Sequence, residues 1–323
     1  VILFLLRRLF WAAFLFIVAT MLTFVIFFLI PVDPLHITGV GLVGTQAVMK
    51  HVRSELHLDV PAYQQYWIFL WNILRHQSLG YSYQVGASVR WIIAQDAKVT
   101  ASVVFGGAIF WMLLAIPLGV RSALKPRSVF DRFSMVFVLI GISAPPLWIA
   151  LILAYIFGFR LGWTPIADYC NLFSNGTGEC SGPIRWAYHL ILPWATYTIV
   201  FAAMYVRLIR SSVIETASED YVRTAWAKGA SRRRVVLHHI LRNSLLPVVT
   251  MLGMDLGMAF AGSVFIETVF NLHGLGQELY VASHSGDIPL IIGVVVCVSL
   301  AVIVFNFLVD VAYAWLDPRI RLT

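Results

Sequence analysis

"RTAWAKGASRRRVVLHHILRNSLLP", residues 223–247, holds six Lys or Arg, two His and no acid. It stands in a chain of 323 residues that is 60% hydrophobic and only 12% charged, a balance far from that of a water-soluble domain. Such a chain belongs in a membrane, and the basic stretch sets its direction. Positive charge collects on the cytoplasmic side of membrane proteins. With residues 223–247 inside, the basic residues of 7–8, 121–132 and 319–321 fall on the same side. The net charge of +7 is then a matter of sorting across a bilayer, and no nucleic-acid partner is needed to explain it.

Working outward, five uncharged stretches reach the roughly 20 residues that a hydrocarbon core demands: 9–30, 99–120, 133–159, 186–206 and 288–309. A sixth, 244–270, is apolar except for Asp255 and Glu267. The expected fold is an all-α membrane protein with six transmembrane helices, N- and C-termini cytoplasmic, and an outer helical subdomain between helices 1 and 2. Residues 1–30 form a retained N-terminal anchor, because their apolar core is longer than that of a cleavable signal and leads into Pro31-Val32-Asp33-Pro34 without an A-x-A exit. Residues 31–98 make the outer subdomain, 99–316 a five-helix core with a cytoplasmic loop at 211–243, and 317–323 a cytoplasmic tail.

Within the outer segment, Asp59-Val60-Pro61 reads as a helix start. Tyr63, Tyr66, Trp67, Leu70, Trp71 and Leu74 follow at helical spacing and make one aromatic face. That face either rests on the bilayer surface or forms the core of a small helical cap. Residues 89–99 read as a second amphipathic piece leading into helix 2. In the third span Pro145 and Pro146 remove backbone donors and bend the helix, as a feature of a pathway or as a packing kink. Cys170 and Cys180 lie on the outer side, as a disulfide or as two free loop thiols. No C-x-x-C spacing and no nearby His cluster completes a metal site there. An acid inside a span is costly unless it faces water or a partner. Asp255 therefore either lines a cavity or makes an interhelical hydrogen bond.

The loop has its own logic. Ser218 is placed to cap a helix with Glu219 and Asp220 in its first turn. The helix continues from Tyr221 to Lys228 and stops at Gly229, which takes the left-handed position after a helix end. Two turns are marginal alone in water and need a surface to dock on. Ser231 starts a second helix whose first turn carries Arg232, Arg233 and Arg234 against the helix dipole, a placement that either answers anionic headgroups, an acidic partner or both, or is ordinary positive-inside anchoring.

Tyr221-Val222-Arg223-Thr224-Ala225-Trp226-Ala227-Lys228-Gly229-Ala230, with His239, Arg242, Asn243 and Leu246-Pro247 after it, resembles the EAA loop of ABC importer permeases in the oligopeptide, dipeptide and nickel branch. Arg207-Leu208-Ile209-Arg210-Ser211, Glu267-Thr268-Val269-Phe270 with Gly274-Leu275-Gly276, Leu56–Pro61 and the ending Leu316-Asp317-Pro318-Arg319-Ile320-Arg321 resemble the same branch. Ala225 and Gly229 fill the small Ala and the Gly of the motif, while Arg223 and Thr224 stand where the generic motif has Glu and Ala. His273 stands in place of a Pro before Gly274, and the loop from Cys170 to Cys180 resembles an insertion.

The resemblance implies a non-catalytic permease subunit, the first of a pair, in the bacterial inner membrane. Asp220, Tyr221, Arg223, Thr224, Ala225, Lys228, Gly229 and Ala230 would couple it to an ATPase. Implied partners are a second homologous permease, two ATPase subunits, an extracytoplasmic substrate-binding protein and membrane lipid. The chain has no phosphate loop of the G-x-x-x-x-G-K-[ST] type, so ATP and Mg²⁺ belong to the partners and no cofactor to this chain. Pro145, Pro146, Asp255 and Glu267 are the pathway or gate candidates, with a solvated helix end as the other reading of Glu267. Peptides are the expected substrate, with nickel chelates or other small solutes as the alternative. An intramembrane enzyme built on His238, His239 and Asp255 is disfavoured, because adjacent histidines point to different helix faces.

Overall fold

The computed structural model describes residues 2–26, 60–76, 79–82, 84–173 and 180–316. Residues 31–59 of the outer segment, with residues 56–59 of the outer motif, and the tail 317–323 lie outside them. The described chain is almost wholly helical. Among the described residues, five helices are long and apolar enough to cross a membrane, and six if a bent pair is counted as one span.

The first helix, α1 (Ile2–Phe24), lies against the last. Helix α2 (Ala62–Trp71) starts behind Pro61 and runs on as a π-helical turn, Asn72–His76. Its aromatic face splits in two. Tyr66 stacks edge-on against Phe24 of α1 at 5.5 Å and its hydroxyl donates to the Ile17 carbonyl at 3.2 Å, whereas Tyr63 and Trp67 are 72% and 64% exposed. Tyr63 and Trp67, four residues apart, share the exposed face, and Tyr66 lies to one side of it. A short hairpin, β1 (Tyr81–Ser82) with β2 (Ala87–Ser88), follows, so the outer subdomain is not purely helical.

Residues 89–99 run unbroken into the second span. They are the first turns of α3 (Val89–Leu124), one helix of 36 residues and therefore about 54 Å long, well beyond the hydrocarbon core. Val89, Ile92 and Ile93 are buried there with Leu275, Leu290 and Val294, which is why the helix begins so early.

The third span differs from a bent helix. α4 (Val129–Ser143) ends, and α5 (Pro146–Leu153) starts at an angle of 105° before continuing as π-helical turns through Ala154–Arg160. The residue before a proline is pushed out of the α region. Pro145 and Pro146 impose this twice, and Ala144 (φ −89°, ψ 127°) and Pro145 (φ −60°, ψ 140°) are both extended. Two consecutive prolines break the chain where one would have kinked it.

The centre of the bundle is the contact of α3 with α6 (Pro183–Ala217). A Cβ on Gly106 would sit 2.1 Å from the Trp194 indole nitrogen, so only glycine lets that ring enter, and the indole N–H donates to the Ser102 carbonyl at 3.0 Å. Trp111 of α3 stacks on Phe201 of α6 at 4.6 Å. The inner loop carries α7 (Asp220–Ala227), and α8 (Leu246–Val269), α9 (Leu275–Ser285) and α10 (Ile288–Leu316) follow it.

Candidate functional site

The inner loop hangs between the ends of α6 and α8, and Ser212 ties them together by donating to the Ser244 carbonyl at 2.9 Å. Helix α7 begins one residue later than the sequence suggests, with Glu219 in the capping position and no side-chain cap. Ser218 is drawn the other way, its hydroxyl donating to the Glu215 carbonyl at 2.6 Å and closing the end of α6. The far end of α7 is a Schellman motif. The Ala230 N–H donates to the Ala225 carbonyl at 3.2 Å, the Gly229 N–H to the Trp226 carbonyl at 2.9 Å, and Gly229 has φ +75°.

Two faces of α7 do different things. Val222 and Ala225 are buried in the core with Val235 and Ile240 of the next helical run, which explains the small residue at 225. Tyr221 is held by that run as well: the Asn243 amide donates to its hydroxyl at 2.7 Å, and the hydroxyl donates to the His239 carbonyl at 3.4 Å. Arg223, Thr224, Trp226, Lys228 and Gly229 stay exposed, as does Asp220, which meets Arg223 at 3.5 Å in an exposed pair of little energetic weight. The second run follows as Arg232–Arg234, a π-helical Val235–Ile240 and Leu241–Ser244, with all three arginines exposed. The result is a two-turn helix fixed on one side and open on the other.

At the same end of α6, Asp131 near the start of α4 is buried and gathers donors from α6, α3 and the turn between α3 and α4. Arg210 of α6 grips it through Nε at 2.7 Å and a second guanidinium nitrogen at 3.0 Å. The Arg127 N–H donates at 2.8 Å, and Ser122 of α3 donates its hydroxyl. This charge-assisted node joins α3, α4 and α6 at the end of the bundle nearest α7.

Of the two acids in the fifth span, Asp255 is buried and accepts from the Tyr205 hydroxyl of α6 at 2.7 Å. Glu267 is fully buried, so it is not a solvated helix end. Thr100 of α3 donates to it at 2.7 Å, and the backbone N–H groups of Gly276 and Gln277, in the first turn of α9, donate at 2.7 and 3.0 Å. Thr100 also accepts from the Leu275 N–H at 2.9 Å. The carboxylate thus closes the N-terminus of α9, where orphan donors and the helix dipole favour an anion. A Cβ on Gly274 would lie 2.6 Å from the Glu267 carboxyl carbon, and one on Gly276 2.5 Å from the Val264 backbone nitrogen. The Gly-x-Gly spacing is there for room.

At the outer end Cys170 and Cys180 are joined as a disulfide, with Cα atoms 5.0 Å apart. Spacing in sequence brings no His to this pair, but the fold does: His189 of α6 lies beside it. Pro145 and Pro146 are exposed at the α4–α5 break. Sequence reasoning missed Thr100, Asp131 and Tyr205, and it saw Arg210 only inside a motif. A Thr in an apolar helix normally bonds its own backbone, so nothing in sequence pairs residue 100 with 267.

The chain falls in the family of membrane-spanning subunits that work for an external source of energy. Residues 115–322 match the binding-protein-dependent transport system inner membrane component family, residues 1–104 match its N-terminal counterpart, and the chain belongs to that family. It is 34% identical over 338 residues to the dipeptide transport system permease protein DppB of Escherichia coli K12, covering 98% of both chains. It is 35% identical over 322 residues, 94% of both, to the di/tripeptide transport system permease protein DppB of Pseudomonas aeruginosa. Among solved structures, the inward-facing MetNI methionine ABC transporter superposes with a TM-score of 0.55 at 19% identity, covering 71% of this chain and 97% of that one, a likeness of fold. The chain is therefore a multi-pass inner-membrane permease of an ABC transporter. It is not itself catalytic and works with ATPase partners.

Proposed function

We propose that this chain imports di- or oligopeptides as half of a translocation pathway whose other half is a second, homologous permease. The relatives named for dipeptide and di/tripeptide transport match it over nearly their full length, and this supports the substrate class. An extracytoplasmic binding protein delivers the peptide, and two ATPase subunits, which hold ATP and Mg²⁺, drive the cycle. Helix α7 docks in a groove of one ATPase through Asp220, Arg223, Thr224, Lys228 and Gly229, with Tyr221, Ala225 and Ala230 holding it on the permease. The observation that carries this reading is the Schellman-ended two-turn helix with one face buried and the other open, set between the ends of α6 and α8. Rigid-body rocking of the helices attached to it would open the pathway to one side at a time.

Pro145, Pro146, Asp255 and Glu267 stand as pathway or gate residues in this scheme. Glu267 acts by fixing α9 to α3 and α8, and Asp255 by fixing α8 to α6. The test is reconstitution of the chain with its permease partner, ATPases and binding protein in liposomes, followed by uptake of labelled dipeptide. ATP-dependent uptake that requires the binding protein is expected. Uptake of a nickel chelate or another small solute, with no response to any di- or tripeptide, would overturn the peptide assignment.

A further inference from the structure

The outer end of α6 carries a cluster that transport does not explain. Cys170 lies in the loop after α5, Cys180 just before α6, and His189 two turns into it. One ligand atom from each, the two sulfurs and a ring nitrogen, fall within 4.8 Å of one another. His189 Nδ1 lies 3.0 Å from the Asp168 carbonyl and 3.3 Å from the Ala167 carbonyl. A carbonyl can only accept, so Nδ1 carries the proton and Nε2 keeps its lone pair. Nε2 is 3.7 Å from the Cys180 sulfur. A histidine whose remote N–H is held by a backbone carbonyl, with its other nitrogen aimed at sulfur, is arranged as metal-binding histidines are.

We propose that reduction of the Cys170–Cys180 disulfide converts this cluster into a site for one borderline-soft divalent cation of the Zn²⁺ type, held by two thiolates and His189 Nε2. Disulfide and cation are then alternative cross-links at one place. The disulfide closes the loop on itself, and the cation ties it to α6 as well. Reduction needs a dithiol: its two thiols give up two electrons and two protons and become a disulfide, while the S–S bond between Cys170 and Cys180 is replaced by two S–H groups. Cation binding releases those two protons, and two thiolates with a neutral imidazole cancel the charge of the ion. Three protein donors leave a fourth tetrahedral position open. Cys170 is fully buried and Cys180 exposed, so the site opens on the Cys180 side.

The test uses the full chain in detergent with its partner subunits, on a Cys297→Ser background that removes the free thiol of α10. The protein is reduced with dithiothreitol, freed of it under argon, and dialysed against Zn²⁺. The expected result is one more bound Zn²⁺ per chain than in the oxidised protein, with two protons released per ion. His189→Gln should abolish this extra binding and still form the disulfide in air, which shows that the loop has folded. Cys180→Ser should also abolish it. Equal Zn²⁺ content before and after reduction, or undiminished binding by His189→Gln, would overturn the proposal. Neither outcome bears on peptide uptake.

Discussion

Gly229 has φ +75°, and a Cβ added there would meet no heavy atom within 4 Å beyond its own chain neighbours, so any cost of replacing it is conformational and not steric. A left-handed L-residue costs about 1–2 kcal/mol, and Gly229→Val should loosen the Ala230–Ala225 and Gly229–Trp226 bonds that end α7. The expected outcome is a chain that inserts normally but transports less peptide per ATP, measured as the ratio of uptake to hydrolysis in proteoliposomes. Glu267 presents the opposite case, with no conformational demand and several buried donors aimed at it. Glu267→Ala leaves the Thr100 hydroxyl and two backbone N–H groups without an acceptor, at roughly 1–3 kcal/mol each. Thermal melting should fall clearly for Glu267→Ala and less for Glu267→Gln, whose amide oxygen still accepts. Equal melting of the two variants would contradict this account of the node.

Elements are held by a few shared polar nodes, and the Asp131 node is the most demanding. Removing one partner of a buried ion pair costs about 3–5 kcal/mol, less here because the Arg210 side chain is 26% exposed. Asp131→Ala and Arg210→Ala should both lower stability and separate α4 from α6. Exchanging the charges, Asp131→Arg with Arg210→Asp, should not restore it, because position 131 also receives the Ser122 hydroxyl and the Arg127 N–H, which an arginine cannot accept. Recovery of melting temperature in the exchanged double variant would refute this. Helix α9 carries a titrating group of its own. Burial pushes the Glu278 carboxyl above its ordinary value, with His273 opposing the shift and Asp287 adding to it. The folded form therefore holds that proton more tightly than the unfolded form. No penalty applies below the ordinary glutamate range, and stability falls as pH rises through the raised value. The protection of α9 amides, taken relative to the intrinsic exchange rate at each pH, should fall between about pH 4 and pH 8 in the native chain and stay flatter in Glu278→Gln.

At the scale of the whole molecule, the orientation inferred from basic residues is open to direct labelling. A cysteine at Ser231, on a Cys297→Ser background, should react with a membrane-impermeant maleimide only from the cytoplasmic side. Cys180, the exposed member of the disulfide, should react only from the other side, after reduction. Much of the layout is legible in the sequence because apolar length and charge sorting are linear properties: the spans, the stop at Gly229 and the anionic groups at 255 and 267 need no third dimension. What stays hidden depends on close approach. The hairpin at Tyr81–Ser88 is too short to carry a periodic signal, the packing of the start of the second span against Leu275 and Leu290 joins distant positions, and the partners of Glu267 come from positions 100, 276 and 277. The double proline reads as a bend in the sequence, although two successive exclusions from the α region leave no helix to bend. The length of α6 carries a mechanical consequence. Its 35 residues make a stiff rod about 52 Å long that runs from the crosslinked outer loop to the threshold of α7. Tilting such a rod by about ten degrees around its midpoint swings each tip by about 4–5 Å, in opposite directions. Under the proposed coupling, a stroke applied by an ATPase on one face of the bilayer would be delivered in the reverse direction on the other.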